Sequence, residues 1–165
     1  MGTYGYISII AMLCYGFMLL MFLTAKRNKI INSFLVVLTG LLFWTGGSAF
    51  MRAQLWPGCE FWYQVSLLGI LLLPYAYYRF ILAFGGEKNG LSGRIYFVIM
   101  LICFWVNAQF GVFLESPNMV EKNGAVAFVY EIKPSIIVFF IPSAIFLIHL
   151  FKVIVRICKN NPTMK

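Results

Sequence analysis

Five apolar stretches of about 20 residues each limit the fold of this chain more than any other feature. An α-helix rises about 1.5 Å per residue, so each stretch is long enough to cross a hydrocarbon layer about 30 Å thick. The mean hydropathy of +0.88 and the charged fraction of 11% argue against a water-soluble fold. The sequence therefore predicts an all-α bundle of five transmembrane helices, placed at about 4–24, 31–50, 61–84, 95–114 and 135–157.

The connections between the stretches are short, which indicates one transmembrane domain over residues 1–165. The longest connection, Glu115–Pro134, has about 20 residues and is too short to bury a core of its own. It contains a β-prone apolar run, Ala125–Tyr130, for which we expect either a hairpin or a segment lying at the membrane interface.

The basic residues alternate sides along the chain, and this pattern predicts the topology. Nine of them are expected on the cytoplasmic side: Lys26, Arg27, Lys29, Lys88, Arg94, Lys152, Arg156, Lys159 and Lys165. The opposite side has three: Arg52, Lys122 and Lys133. This bias predicts a multi-pass protein of the cytoplasmic membrane with its N-terminus outside and its C-terminus inside. The net charge of +8 is thus a topology signal, so the lipid bilayer is the expected partner and nucleic acid is not.

Signatures of catalysis and of metal binding are missing from the sequence. There is no Ser/His/Asp set, no HExxH motif and no glycine-rich phosphate loop, and all five carboxylates are predicted in loops. The four cysteines show no CxxC or Cys/His spacing and are interpreted as small apolar residues. We therefore expect no enzyme activity, no catalytic residue, no metal and no cofactor.

Polar and aromatic residues in the outer half of the third and fourth stretches make the best candidate ligand site. They are Trp62, Gln64, Trp105, Asn107 and Gln109. Such residues are able to line an outward-facing pocket that is apolar with a few polar anchors. Hydrogen bonding between helices is the simpler interpretation of the amides. Because Asn107 and Gln109 are two positions apart, we expect at most one of them to face a given cavity.

Four further positions inside the predicted spans are candidates for signal transmission or for packing: Pro74, Arg79, Pro142 and His149. A proline removes a backbone donor and is expected to kink each helix, although plain packing is the alternative. Arg79 lies near the cytoplasmic end, where its side chain either extends to the headgroups or makes a signalling contact. His149 has no carboxylate at similar depth, which favours packing over a pH sensor.

Three segments together resemble a known family: Asn28–Phe34, Leu42–Trp44, and Phe61–Ile70 followed by Pro74. The resemblance is to the N-terminal seven-helix membrane region found ahead of bacterial histidine kinases and diguanylate cyclases. It covers residues 26–84, whereas residues 90–158 are similar only in hydropathy and loop length. Helix three of that family has an Arg where this chain has Gln64. Helices six and seven and a cytoplasmic domain have no counterpart within these 165 residues, so we expect either a sensor piece of a longer receptor or a stand-alone relative that works through a partner.

The resemblance implies a sensory module that detects an extracytoplasmic or membrane-derived stimulus and passes it inward by helix movement to a cytoplasmic output or partner. One alternative is a non-catalytic subunit or assembly factor that docks on another membrane protein through lipid-facing aromatic residues and the small-residue cluster Gly46–Ala49. A small transporter or channel is less favoured, because neither inverted repeats nor pore-lining charges are evident. A membrane or cytoplasmic protein partner is expected, and a second copy of the chain is one candidate for it.

Overall fold

The computed structural model describes residues 3–88, 90–115, 117–122, 125–131 and 133–160. It has five α-helices, one two-stranded antiparallel sheet and one short 3-10 turn before the last helix. The helices are α1 Thr3–Leu23, α2 Lys29–Arg52, α3 Cys59–Phe84, α4 Leu91–Phe110 and α5 Ile137–Asn160. The strands are β1 Asn118–Lys122 and β2 Ala125–Val129, and the 3-10 turn is Pro134–Ile136.

The all-α class is confirmed, and all five helices are long and apolar enough to cross a membrane. The antiparallel β1–β2 hairpin occupies the connection for which a hairpin was one of two expectations. We call the end of the bundle that includes this hairpin and the α2–α3 loop 53–58 the hairpin end. The other end, with the α1–α2 loop 24–28 and the α3–α4 loop 85–90, is called the basic end.

Helices α2 and α3 pack so closely that their main chains touch. A Cβ atom placed on Gly47 would lie 2.6 Å from the backbone nitrogen of Ser66, and one on Gly69 would lie 2.5 Å from the backbone nitrogen of Trp44. Only glycine permits such an approach, as is common between membrane helices. The small residues of α2 are therefore used within this chain, Gly47 against α3 and Gly46 against Met12 of α1, and Gly46, Gly47 and Ala49 are buried. They are not available for docking another protein.

Helix α1 packs mainly on α2 and is otherwise open to its surroundings. Its links to α2 include a contact between the hydroxyls of Ser8 and Ser48 at 3.4 Å. The apolar side chains of Phe17 and Leu20 are 66% and 64% exposed, as suits a helix that faces lipid.

An apolar core lies between α3, α4 and α5. Its buried members are Tyr78, Leu82, Tyr96, Met100, Phe113, Phe139, Phe146, Leu150, Val153 and Ile157. The ring of Phe146 stacks on that of Tyr96, with 3.9 Å between the centroids, and meets the edge of Tyr78 at 5.3 Å. Aromatic side chains, rather than close main chains, therefore join α5 to the rest of the bundle.

The predicted ends of α4 are wrong by several residues at both ends. The helix runs from Leu91 to Phe110 and not over 95–114. Hydropathy assigns residues 91–94 to a loop because they include Ser92 and Arg94. In the structure Gly90 is extended and the helix begins directly after it, at Leu91. At the other end, Gly111 adopts a left-handed conformation with φ of 57°, which stops the helix before the apolar run ends.

The helices also bear on two further expectations, the location of the carboxylates and the effect of the two prolines. Glu60 lies in the first turn of α3, so the assignment of every carboxylate to a loop is wrong. This position suits the charge, because a carboxylate near a helix N-terminus is favoured by the helix dipole. Helix α3 continues through Pro74 and α5 through Pro142, with both prolines inside the assigned helices. A role of either proline as a hinge stays a prediction.

Candidate functional site

Asn107 is the buried polar centre of the hairpin end. Its side chain is 1% exposed and lies in the last turn of α4. The Oδ1 atom accepts hydrogen bonds from the backbone N–H groups of Phe113 at 3.0 Å and Leu114 at 2.9 Å. The Nδ2 atom donates to the carbonyl oxygen of Leu114 at 3.0 Å. A single amide thus holds the segment after α4 against the end of that helix, in place of helical hydrogen bonds.

The same segment, residues 111–114, is bonded to the neighbouring elements as well, and we call it the anchored turn. The Tyr63 hydroxyl of α3 donates to the carbonyl of Leu114 at 3.3 Å. Lys133 donates to the carbonyl of Gly111 at 3.0 Å, and Ser135, just before α5, donates to the carbonyl of Val112. The anchored turn therefore joins α3, α4 and the start of α5 at one point.

A small polar cavity of about 200 Å³ lies beside the anchored turn, between α3 and the end of α4. Its lining residues are Glu60, Gln64, Asn107, Ala108, Gln109, Gly111, Leu114 and Glu115. The Oε1 atom of Gln64 is buried and has no hydrogen-bond partner among the described residues. A buried carbonyl oxygen without a donor is costly, so the cavity is suited to a group that donates hydrogen bonds.

Two carboxylates give this cavity an acidic character. Glu60 and Gln64 are four residues apart on α3 and therefore lie on the same face of the helix. Glu115 forms an ion pair with Lys133, in which both side chains are partly exposed. The carboxylate of Glu60 has no ion pair within the described part of the chain.

The hairpin covers this end of the bundle next to the cavity. The Arg52 guanidinium lies 5.3 Å from the centre of the Phe128 ring, and the rings of Tyr63 and Tyr130 are 6.5 Å apart. Burial raises the pKa of Tyr130, while the charge of Arg52 acts in the opposite direction. Tyr130 is therefore a neutral hydrogen-bonding group here at physiological pH.

The structure brings together three of the five predicted ligand residues: Gln64, Asn107 and Gln109. The expectation that Asn107 and Gln109 would not share a cavity is wrong, because successive residues 107–109 at the end of α4 all line it. The two tryptophans do not line this cavity. The indole nitrogen of Trp62 donates to the carbonyl of Leu55 at 3.2 Å, and Trp105 is 60% exposed on the outer surface of α4.

At the basic end, the predicted residue His149 belongs to a polar network that links three helices. Its Nε2 atom lies 3.0 Å from the hydroxyl of Ser92 on α4, which lies 3.4 Å from the hydroxyl of Tyr78 on α3. One turn away, the hydroxyls of Tyr96 and Ser143 are 3.3 Å apart. His149 is therefore hydrogen-bonded to a neutral side chain, as the packing interpretation expects.

Arg79 is exposed and faces a second depression, formed between α2 and α3 at the basic end. Its guanidinium carbon lies 6.0 Å from the centre of the Tyr75 ring, one helical turn further from the end of α3. A nearby carboxylate, Glu87, forms an ion pair with Arg156 of α5. The Arg79 guanidinium thus approaches the ring one turn back along its own helix, and its role, extension to the headgroups or a signalling contact, stays a prediction.

Sequence reasoning missed Glu60, Glu115 and Ser92. The spacing of four residues between Glu60 and Gln64 was a usable signal for the first of them. No local signal pointed to Ser92, since its partner His149 is 57 residues away. Among the described residues, no three His, Cys, Asp or Glu side chains come close enough together to hold a metal ion.

Comparison with known protein families matches residues 7–164 to the N-terminal 7TM region of histidine kinase. No curated protein and no solved structure gives a match. Because the match covers nearly the whole sequence, the chain belongs to this family of membrane sensor regions. Such a region is the non-catalytic input part of a histidine kinase, and the chain is accordingly a membrane sensory module.

Proposed function

We propose that this chain detects a small cationic or hydrogen-bond-donating ligand in the cavity at the hairpin end and transmits its presence to the basic end. The observation that carries the proposal is the buried, unpartnered Oε1 atom of Gln64 beside the anchored turn. A ligand that donates to this oxygen and approaches Glu60 gains interactions that the unliganded chain does not provide.

The proposed orientation places the hairpin end outside the cytoplasmic membrane and the basic end in the cytoplasm. The support is the distribution of Lys and Arg, nine on one side against three on the other. In this orientation the cavity is open to extracytoplasmic solutes, and the end of α5 at Asn160 lies on the side of a cytoplasmic output domain or partner.

Transmission is proposed to follow α5, because its start is bonded to the anchored turn. A ligand that draws the outer end of α3 toward α4 shifts the Tyr63 contact with Leu114 and, through Val112, the Ser135 contact before α5. A shift of α5 then reaches its other end, where Arg156 pairs with Glu87. Two helix arrangements that differ by a few kcal/mol are sufficient, provided the ligand binds one of them better.

The two helix prolines have a defined place in this proposal. Pro142 lies on α5 beside Ser143, whose hydroxyl contacts Tyr96 of α4. The missing backbone donor of a proline lets a helix bend with less loss of hydrogen bonding. We therefore propose that α5 bends near Pro142 when the anchored turn moves, and that Pro74 allows a similar adjustment in α3.

Hydrogen exchange of the full chain in lipid nanodiscs tests the proposal. The probes are a panel of small primary amines together with Na⁺, K⁺ and Ca²⁺, each compared with buffer alone. At least one probe should slow exchange around residues 107–114 and also change exchange in residues 149–160. Gln64→Leu should abolish both responses. Gln54→Asn, in the exposed loop at the same end, is the control, because Asn tolerates the left-handed backbone of that position, and it should preserve them.

Two results would contradict parts of the proposal separately. If every probe leaves residues 107–114 unchanged, the cavity does not bind this class of ligand. If a probe acts there and leaves residues 149–160 unchanged, the cavity binds and α5 does not transmit. A response that persists fully in the double variant Pro74→Ala, Pro142→Ala would remove the prolines from the mechanism.

A further inference from the structure

The depression next to Arg79 at the basic end is a groove with a cavity volume of about 520 Å³. We call it the basic groove. One wall is the first turn of α2, with Lys29 and Ser33, and the other is the end of α3, with Arg79 and Ala83. The two residues named on each wall are four positions apart, so they lie on one face of their helix. The groove is therefore a defined space between two closely packed helices.

The charge of the basic groove is uncompensated. Lys29, Arg79 and Lys88 line it and have no ion pair within the described part of the chain. The one carboxylate in the lining, Glu87, is bonded to Arg156 on α5. Three cations that line one groove without a counterion repel one another, and an anion placed among them would relieve this repulsion.

The depth of the groove indicates which anion fits. Lys29 is the first residue of α2, whereas Arg79 precedes the last residue of α3 by five positions, about 7.5 Å along the axis. Arg79 lies back toward Tyr75, still deeper in the span. The cations are thus distributed from the aqueous edge into the apolar layer, which is the range occupied by a phospholipid headgroup and its glycerol.

An apolar surface continues from the groove along α2. Val36 lies one turn beyond Asn32 on the same face, and its side chain is 41% exposed. An acyl chain is able to follow this surface while its headgroup stays among the cations. Free phosphate would use the polar part of the groove alone.

We infer that the basic groove binds the phosphate of an anionic phospholipid, held by Arg79 from the membrane side and by Lys29 and Lys88 from the aqueous side. The planar guanidinium of Arg79 provides two parallel donors for phosphate oxygens, and the lysines contribute point charges. This inference concerns the opposite end of the bundle from the proposed ligand cavity and does not depend on it.

Native mass spectrometry of the full chain in detergent micelles tests the inference, with dioleoylphosphatidylglycerol and dioleoylphosphatidylcholine as probes. The parent chain should retain phosphatidylglycerol in preference to phosphatidylcholine. Arg79→Gln should weaken phosphatidylglycerol binding roughly fivefold, and the double variant Lys29→Gln, Lys88→Gln should weaken it further. Arg79→Lys should lie between Arg79→Gln and the parent, since it keeps the charge and loses the planar pair of donors.

The matched control is Arg94→Gln, which removes one exposed positive charge near the same end outside the groove. Its phosphatidylglycerol binding should stay within about twofold of the parent. An equal loss in Arg94→Gln would show general charge attraction and overturn the inference, as would equal binding of phosphatidylcholine. Millimolar inorganic phosphate is a further arm. If it stabilises the chain in an Arg79-dependent way while phosphatidylglycerol does not, the groove takes free phosphate and the assignment to a lipid is wrong.

Discussion

Helices α2 and α3 are joined by main-chain contacts, whereas α5 is joined to α3 and α4 by side chains. In the first pair, Gly47 meets the backbone of α3 near Ser66, and Gly69 meets the backbone of α2 at Trp44. In the second region, the main contacts are the Tyr96–Phe146 stack and the hydrogen bond of Ser92 with His149. Two helices whose main chains touch can pack this closely in only one arrangement. Helices joined by side chains are able to shift, because side chains change rotamer. The difference indicates a rigid α2–α3 frame and a more adjustable α5.

The largest effect is expected at the α2–α3 contact. Gly47→Ala should lower the free energy of unfolding by about 2–3 kcal/mol, because the added methyl would overlap the backbone of α3. The measurement is unfolding by SDS titration in mixed micelles.

The control for this change is the neighbouring Gly46→Ala. A Cβ atom there would meet the sulfur of Met12 at 3.5 Å, an ordinary contact. Gly46→Ala should stay within about 1 kcal/mol of the parent and be slightly stabilising, since Ala favours the helix. Equal effects of the two substitutions would contradict the close main-chain contact.

A smaller loss is expected from Asn107→Leu, which keeps the approximate volume and removes three hydrogen bonds to the anchored turn. We expect about 2 kcal/mol, because the Phe113 N–H is left buried without a partner while the Leu114 groups are closer to water. The same SDS titration measures it. Gln109→Leu is the control on the exposed face of α4 and should change stability little. A loss for Gln109→Leu as large as that for Asn107→Leu would contradict the assigned role of Asn107.

The hydrogen bond between Ser92 of α4 and His149 of α5 should contribute less to stability than the bonds of Asn107. A double-mutant cycle with Ser92→Ala and His149→Phe should give an interaction energy of about 0.6 kcal/mol, the average for hydrogen bonds between membrane helices. The cycle Tyr96→Phe with Ser143→Ala gives a comparison on the same pair of helices. A coupling near 3 kcal/mol for Ser92 and His149 would mean that α5 is not adjustable there.

The smallest effect is expected at the Arg156–Glu87 ion pair. Glu87→Gln should change the free energy of unfolding by less than about 1 kcal/mol, since the side chain of Glu87 is 29% exposed and that of Arg156 is 57% exposed. The effect should decrease as salt is added, because exposed charges are screened. A loss that is large and independent of salt would show that this pair is a main attachment of α5.

The five spans were predictable because about 20 apolar residues have few alternatives to a membrane helix. The ends of α4 were not, since they depend on the backbone conformation of Gly90 and Gly111 and not on hydropathy. Gln64 and Asn107 were identifiable as intramembrane amides, and the structure shows that their neighbours differ from those expected. Their acidic neighbours Glu60 and Glu115 were assigned to loops, so an apolar aromatic pocket was expected where the cavity is polar.

Long-range partners account for the rest of what sequence reasoning could not supply. The contacts of Tyr63 with Leu114 and of Ser92 with His149 join residues 51 and 57 positions apart. Each depends on how helices are rotated about their axes, which no single span specifies. The family resemblance covered α2 and α3 by motif, and these are the helices whose main chains touch.

The anchored turn also has a consequence for biosynthesis. Its carbonyl groups receive donors from Tyr63, Asn107, Lys133 and Ser135, which leave the ribosome at widely separated times. The turn is therefore completed only after the start of α5 has been synthesised. Until then the carbonyls of Gly111 and Val112 lack the donors of Lys133 and Ser135, and water is their available partner. The hairpin end is thus completed late, after α3 and α4 have both been synthesised.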